Sequence, residues 1–152
     1  MNYQKRGRPI EGDWLEKILE IKRTSKKTKG GNQIAFTVLV VVGDRKGKVG
    51  FALARAKNVP SAIKKAMKKA RKAVIQLPLV NQALPHPFTS KFKGAKVFLR
   101  PGRAGAGLIA GSVIRSIAQV AGIDNLTAKV MGSSNKNANI QAVFKGFKAL
   151  RE

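Results

Sequence analysis

The residue pattern predicts an α+β fold built as two small units. Three observations carry that expectation. Valine- and phenylalanine-rich runs flank a glycine-bracketed turn and lead directly into a segment of helical periodicity. A second series of short apolar runs and helical segments fills the remainder of the 152 residues. Hydrophobic residues make up 43%, enough for a packed core in spite of a net charge of +24.

The elements follow in order. Residues 1–12 carry Gly7, Pro9 and Gly12 among charges and read as a basic flexible arm. Asp13 and Glu16 stand where a helix N-cap and its N3 carboxylate belong, so helix initiation is preferred to a catalytic pair. Ile18 to Arg23 reads as a first strand, and Lys26-Lys27-Thr28-Lys29-Gly30-Gly31 as a loop. Ile34 to Val42 and Val49 to Leu53, separated by Gly43-Asp44-Arg45-Lys46-Gly47, predict a hairpin. Pro60 suits a first helical turn, and Ile63, Ala66, Met67, Ala70 and Val74 then share one helical face.

Leu77 to Asn81, with Pro78, marks the change of unit, giving expected domains at 13–76 and 77–152. In the second, Gln82 to Phe88 and Ala95 to Leu99 are strand candidates, the first interrupted by Pro85-His86-Pro87. A helix is expected from Leu108 to Ala121, with Ile109, Val113, Ile117 and Val120 on one side and Gly122 as its stop. Leu126 to Met131 reads as a strand and Gly132-Ser133-Ser134-Asn135 as a turn. A last helix runs from Ala138, its apolar face formed by Ile140, Val143, Phe144, Phe147 and Leu150. Units of about 70 residues are small for one core apiece and gain by docking on each other.

Charge narrows the function. The chain has 31 Lys and Arg against 7 Asp and Glu. Residues 1–75 hold 20 basic and 5 acidic residues, and residues 76–152 hold 11 and 2. Such an excess repels itself in the compact state, so the expected partner is a polyanion. Nucleic acid fits better than lipid: the longest apolar run, Ile34 to Val42, is too short to span a bilayer as a helix. Basic residues near the N-terminus are followed by Glu11 and Asp13 with no apolar segment, unlike a secretory signal. There is no cysteine, which excludes disulfides and thiolate zinc sites and suits a reducing cytoplasm. One histidine and scattered carboxylates offer little for acid–base catalysis or a metal, so neither an enzyme nor a cofactor is expected. His86, between prolines, reads as a turn residue.

The sharpest local signal is the helix after Pro60. Opposite its apolar face lie Lys64, Lys65, Lys68, Lys69, Arg71 and Lys72, with no carboxylate in the segment. Like charges at i,i+4 disfavour the isolated helix, and phosphates are the expected relief. Lys26, Lys27 and Lys29 beside Gly30-Gly31 suit a phosphate clamp of ammonium groups and glycine amides. Arg45, Lys46 and Lys48 around the hairpin turn read more simply as solubilising decoration. Phe36, Phe51, Phe98, Phe144 and Phe147 are assigned to the core, while Trp14 is open between core and base stacking. Gly105-Ala106-Gly107-Leu108-Ile109-Ala110 formally matches a dinucleotide fingerprint but lacks the strand context of a doubly wound sheet.

The strand, Lys-Gly-Gly loop, hairpin and basic helix resemble the end of a double-stranded-RNA-binding domain. The order Lys29-Gly30-Gly31, Val40-Val41-Val42-Gly43-Asp44, Val49-Gly50-Phe51, Val59-Pro60 with Ala62-Ile63, and Lys68-Lys69-Ala70 is similar to the bacterial small-subunit ribosomal protein five family. His86-Pro87, Leu108-Ile109-Ala110-Gly111, Val120-Ala121-Gly122 and Gly132-Ser133 followed by Asn135 extend the resemblance to nearly the whole chain. It implies an N-terminal double-stranded-RNA-binding-like β-β-β-α domain and a C-terminal ββαβα domain with a left-handed βαβ crossover.

The resemblance also implies a structural component of the small ribosomal subunit, cytoplasmic, that binds rRNA where head meets body. Ribosomal proteins four and eight are the implied neighbours, with mRNA at the entry path, and the contact with protein four bears on decoding accuracy. The candidate RNA-binding residues are Arg23, Ser25, Lys26, Lys27, Lys29, Gly30, Gly31, Arg55, Lys57, Lys64, Lys65, Lys68, Lys69 and Lys72. Arg103, Gly105, Gly107 and Arg115 are the candidate protein interface. The chain departs from the family where Ala52 and Ala54 replace glycines, and where Lys136 replaces a proline. The competing reading is a free-standing binder of double-stranded RNA or DNA, separable by its preference for ribose 2′-OH groups.

Overall fold

The computed structural model describes residues 14–150. Two four-stranded sheets are present. The first is antiparallel, in the order β1 (Leu15–Thr28), β2 (Gly31–Gly43), β3 (Lys48–Ala56) and β4 (Ile75–Gln76), with α1 (Val59–Lys72) between β3 and β4. The second is mixed. It comprises β5 (Phe88–Phe92), β6 (Ala95–Pro101), β7 (Leu108–Ile109), α2 (Ser112–Ala121), β8 (Leu126–Met131) and α3 (Lys136–Ala149), with strand order β5-β6-β8-β7. The short β7 lies parallel to β8, and α2 crosses between them.

β2 explains how the two units are joined. Val38, Leu39, Val40, Val41 and Val42 are all buried, whereas a strand with one wet face alternates apolar and polar residues. Both faces of β2 are covered. Val38, Val40 and Val42 pack with Ala52 and Ala54 against Ala62, Ala66 and Ala70 of α1. Leu39, Val41 and Val49 join a core with Ile114, Ile117 and Phe144 of the second unit. The small units therefore share a core, and Phe51 of β3 meets Phe144 of α3 with ring centroids 4.5 Å apart.

Backbone contacts lock this docking. A helix leaves its last carbonyls without partners. Here the N–H of Arg45 donates to Val120 O at 3.0 Å and that of Gly47 to Ala121 O at 2.9 Å, so the β2–β3 turn caps α2. The chains approach so closely that a Cβ on Gly43 would lie 2.1 Å from Val120 O, and one on Gly122 2.0 Å from Arg45 O. The turn expected to be solubilising decoration is thus a main-chain dock, although the Arg45, Lys46 and Lys48 side chains are exposed.

Several expectations are corrected. Glu16 does not initiate a helix: it lies in β1 opposite Val42, because a 14-residue hairpin strand satisfies the backbone there. Asp13 and the basic arm fall outside the described residues. The lysine-rich loop contracts to Lys29-Gly30, since β1 continues to Thr28 and pairs it with Gly31. Residues 82–87 form no strand, and β5 starts only at Phe88. Val80 and Ala83 instead exchange backbone hydrogen bonds around Asn81 and Gln82, both at positive φ. Leu108 and Ile109 are drawn from the expected helix into β7, and α2 starts at Ser112. The last helix begins two residues early, at Lys136, where Asn135 Oδ1 accepts from Asn137 N at 3.1 Å. Phe36, Phe51 and Phe98 are half-buried, while Phe144 and Phe147 are buried.

Candidate nucleic-acid interface

β3 pairs with β2 only as far as Phe36–Ala56, while β1 and β2 continue to Thr28–Gly31. Beyond Phe36 the two strands run on as an unaccompanied ribbon. Threonines staple it: Thr24 Oγ1 donates to Ala35 O at 3.1 Å and Thr28 Oγ1 to Gly31 O at 2.6 Å. The tip, Lys29-Gly30-Gly31, is exposed, with Gly31 at φ +119 and open space around Gly30 and Gly31.

Strand alternation distributes the ribbon's charges. Arg23, Ser25 and Lys27 oppose Phe36, Ile34 and Asn32, the face of β2 that α1 covers farther along. Lys22 and Lys26 take the other face. The ribbon thus presents cations on both sides, and Ile34 is an exposed apolar residue on the helix side.

The other candidates sit at the ribbon's base and along α1. Arg55 opposes Thr37, and Lys57 follows directly after β3; both are exposed. Asn58 then caps α1 without a side-chain hydrogen bond, and the first turn holds no acidic residue. The partial positive charge of that helix end is therefore not offset within its own first turn. Lys64, Lys65, Lys68, Lys69 and Lys72 are exposed along the helix, about 12 Å from first to last at 1.5 Å per residue. The fold brings Arg23, Arg55, Lys57 and the start of α1 to one end of the sheet. Arg55, next to Ala54, takes the face of β3 away from α1, while Lys68, Lys69 and Lys72 carry positive charge along α1 toward the other end.

Arg71 is different. Its Nη2 lies 2.8 Å from Glu16 Oε1 and its Nε 3.2 Å from the same atom. The Glu16 side chain is only 5% exposed, against 37% for Arg71. The acid read as a helix signal thus ties α1 to the edge strand and occupies the helix's one arginine. Sequence spacing hid this pairing, because Glu16 and Arg71 lie far apart in the chain. Trp14 packs, half-buried, against the same core beneath α1.

The departures from the family pattern concern packing. Ala52 and Ala54 face α1 and are buried, so their methyl groups fill the sheet–helix layer and leave the outer surface unchanged. Gly50 is held to glycine, since a Cβ there would lie 2.4 Å from Ala70 O. Arg103, Gly105 and Gly107 occupy the β6–β7 loop, and Arg115 is exposed on α2. That loop opens a mixed sheet whose parallel pairing, among the described strands, is confined to β7 and β8. A doubly wound nucleotide fold is therefore not built on the glycine fingerprint.

Comparison with known proteins bears on both units. Residues 14–78 match the family described as ribosomal protein S5, N-terminal domain, and residues 90–152 match ribosomal protein S5, C-terminal domain. The small ribosomal subunit protein uS5 of Buchnera aphidicola subsp. Baizongia pistaciae is 47% identical over 129 residues, covering 85% of this chain and 75% of the relative. Its counterpart from Buchnera aphidicola subsp. Cinara cedri is 42% identical over 151 residues, covering 99% and 90%. That of Nitrosococcus oceani is 46% identical over 132 residues, covering 87% and 78%.

Proposed function

The chain belongs to the ribosomal protein S5 family, and on that footing we propose that its ribbon and α1 bind small-subunit rRNA near the head–body junction. It is a non-enzymatic protein of the small ribosomal subunit. Contact is made chiefly to phosphates and helix shape, through Arg23, Lys26, Lys27, Lys29, Arg55, Lys57 and the α1 lysines. The Ser25 hydroxyl and the backbone at Gly30 and Gly31 add hydrogen bonds at the ribbon tip. The β6–β7 loop and Arg115 face neighbouring ribosomal proteins, four and eight, and through the former affect decoding accuracy; mRNA at the entry path is a further contact. The working particle is cytoplasmic.

The observation that carries this reading is the α1 surface. Five lysines stand there without a carboxylate in the helix, while its arginine is engaged by Glu16. A surface kept soluble by charge alone would interleave acids.

The test is binding of the purified chain to a structured rRNA fragment across salt, with sedimentation of a tagged copy alongside the small subunit. With 6–10 phosphate contacts, affinity falls roughly 10³–10⁵-fold between 50 and 200 mM salt. A salt-insensitive complex, or equal affinity for a DNA duplex, overturns the reading.

A further inference from the structure

An open cleft of about 660 Å³ lies where the two units meet. It is bounded by the start of β1, the β2–β3 turn, the turn at Asn81-Gln82 and the C-terminal end of α2. The ribbon and the lysine face of α1 do not line it.

Three features set it apart from a casual gap. First, left-handed backbone converges on it from three separate turns: Arg45 at φ 59, Gln82 at φ 57 and Gly122 at φ 80. Each belongs to its own turn: Gln82 to the two-residue turn closed by Val80 and Ala83, Arg45 to the β2–β3 turn, and Gly122 to the end of α2. Second, the walls are tied by main-chain bonds. Arg45 N donates to Val120 O at 3.0 Å, and Asp124 N to Gln82 O at 3.0 Å. The side chains of Arg45, Gln82 and Asp124 stand exposed on these walls, open to solvent and to a ligand.

Third, the lining has sorted chemistry. Lys17 and Arg45 supply two cations, and the half-buried Leu15 and Leu108 supply aliphatic surface over the buried Ile123. Lys17 Nζ donates to Gln119 Oε1, which leaves the Gln119 NH₂ as a donor. Asp124 adds a carboxylate. Burial, and then the neighbouring Arg45 guanidinium, hold the Lys17 ammonium below the ordinary lysine value, a strain that a bound anion relieves.

We propose that this cleft binds one nucleoside monophosphate unit, its phosphate on Lys17 and Arg45, its base over the aliphatic floor, and its base edge on Gln82, Gln119 and Asp124. An ionised carboxylate only accepts hydrogen bonds. It therefore favours a base that offers N–H donors, and guanine presents two side by side. The unit comes either from an unpaired guanosine of a bound RNA or from a free nucleotide. Only the first source rests on the RNA-binding reading above.

The experiment titrates the full chain with GMP, UMP or inorganic phosphate and follows backbone amides by NMR. GMP is expected to give saturable shifts at Gln82, Gln119 and Asp124, with affinity at least about tenfold above UMP and phosphate. Lys17→Met and Asp124→Asn, each verified as folded by its amide spectrum, are expected to weaken GMP by about tenfold, whereas Lys148→Gln on α3 leaves it unchanged. An RNA hairpin with one unpaired G is compared with the same hairpin fully paired. A gain at the same amides identifies RNA as the source, and GMP saturation without that gain identifies a free nucleotide. Equal responses to phosphate and GMP, or indifference to Asp124→Asn, overturn the proposal. A chain that binds duplex RNA while the cleft stays silent sinks this proposal and leaves the RNA-binding one standing.

Discussion

Changing Lys65, Lys68, Lys69 and Lys72 together to Gln should weaken RNA binding and stabilise the protein at once. All four are exposed on α1, and Gln is nearly as good a helix former as Lys, so no packing is lost. The like-charge i,i+4 pairs Lys64–Lys68, Lys65–Lys69 and Lys68–Lys72 all disappear. At about 0.2–0.5 kcal/mol per pair, the gain is about 0.6–1.5 kcal/mol, before any relief of the wider positive field. For a protein of this size that is an increase of about 1–6 °C in Tm, or a higher urea midpoint at unchanged slope. Binding moves the other way. Each lysine that neutralises a phosphate adds about 0.9 to the slope of log K against log salt. If the parent and variant converge near 1 M salt, the loss at 0.1 M is about 4 × 10³-fold when all four touch phosphate and about eightfold when one does. Urea unfolding and salt-dependent titration on the same two proteins measure both quantities. Parallel salt slopes would show that the helix face is only solvated, and a lower urea midpoint would show that its lysines hold something inside the fold.

Breaking the β1–α1 tie should be asymmetric. Arg71→Gln strands a carboxylate 5% exposed and should cost about 2–3 kcal/mol, whereas Glu16→Gln frees a guanidinium 37% exposed, which water can solvate, and should cost about 1 kcal/mol. Equal costs in urea unfolding would refute the burial argument. Gly122 and Gly105 both have φ +80, but a Cβ at Gly122 meets Arg45 O at 2.0 Å and one at Gly105 meets nothing within 4 Å. Gly105→Ala should therefore cost only about 1–2 kcal/mol of backbone strain, and Gly122→Ala more than about 3 kcal/mol by prising the β2–β3 turn off α2; similar melting shifts would contradict this. Lys17 is lowered from 10.5 in the folded chain, so folding binds fewer protons there. Its unfavourable contribution is fully present at neutral pH and is relieved as pH rises through the folded value toward 10.5. The stability difference between Lys17→Met and the parent should shift over that interval in the parent's favour, as measured by urea unfolding at stepped pH.

Local signals carried much of the fold. The glycine-bracketed β2–β3 hairpin, the Pro60 helix start, the Gly122 stop and the β8 strand are where their residues predict, because each depends on turn chemistry or periodicity within a few neighbours. Where expectation failed, a distant partner won. Leu108 and Ile109 belong to β7 because β8 offers their backbone a parallel neighbour, overriding their helical spacing. Lys26 and Lys27 belong to strands because the ribbon satisfies their main chain, whatever their charge suggests about loops.

The candidate RNA surface shows the same division. The unbroken positive charge of α1 is a property of composition and period, so it was legible from the residues alone. Which cations are available could be decided only by the folded chain. Arg71 looked like its neighbours until β1 brought Glu16 within 2.8 Å of it, and the Lys46 turn looked merely solvated until α2 needed its backbone. Composition and period determine what a segment can display. Pairing and docking between residues remote in the chain decide what remains free, because ion pairs and orphaned helix carbonyls are satisfied through space and leave no trace in local spacing.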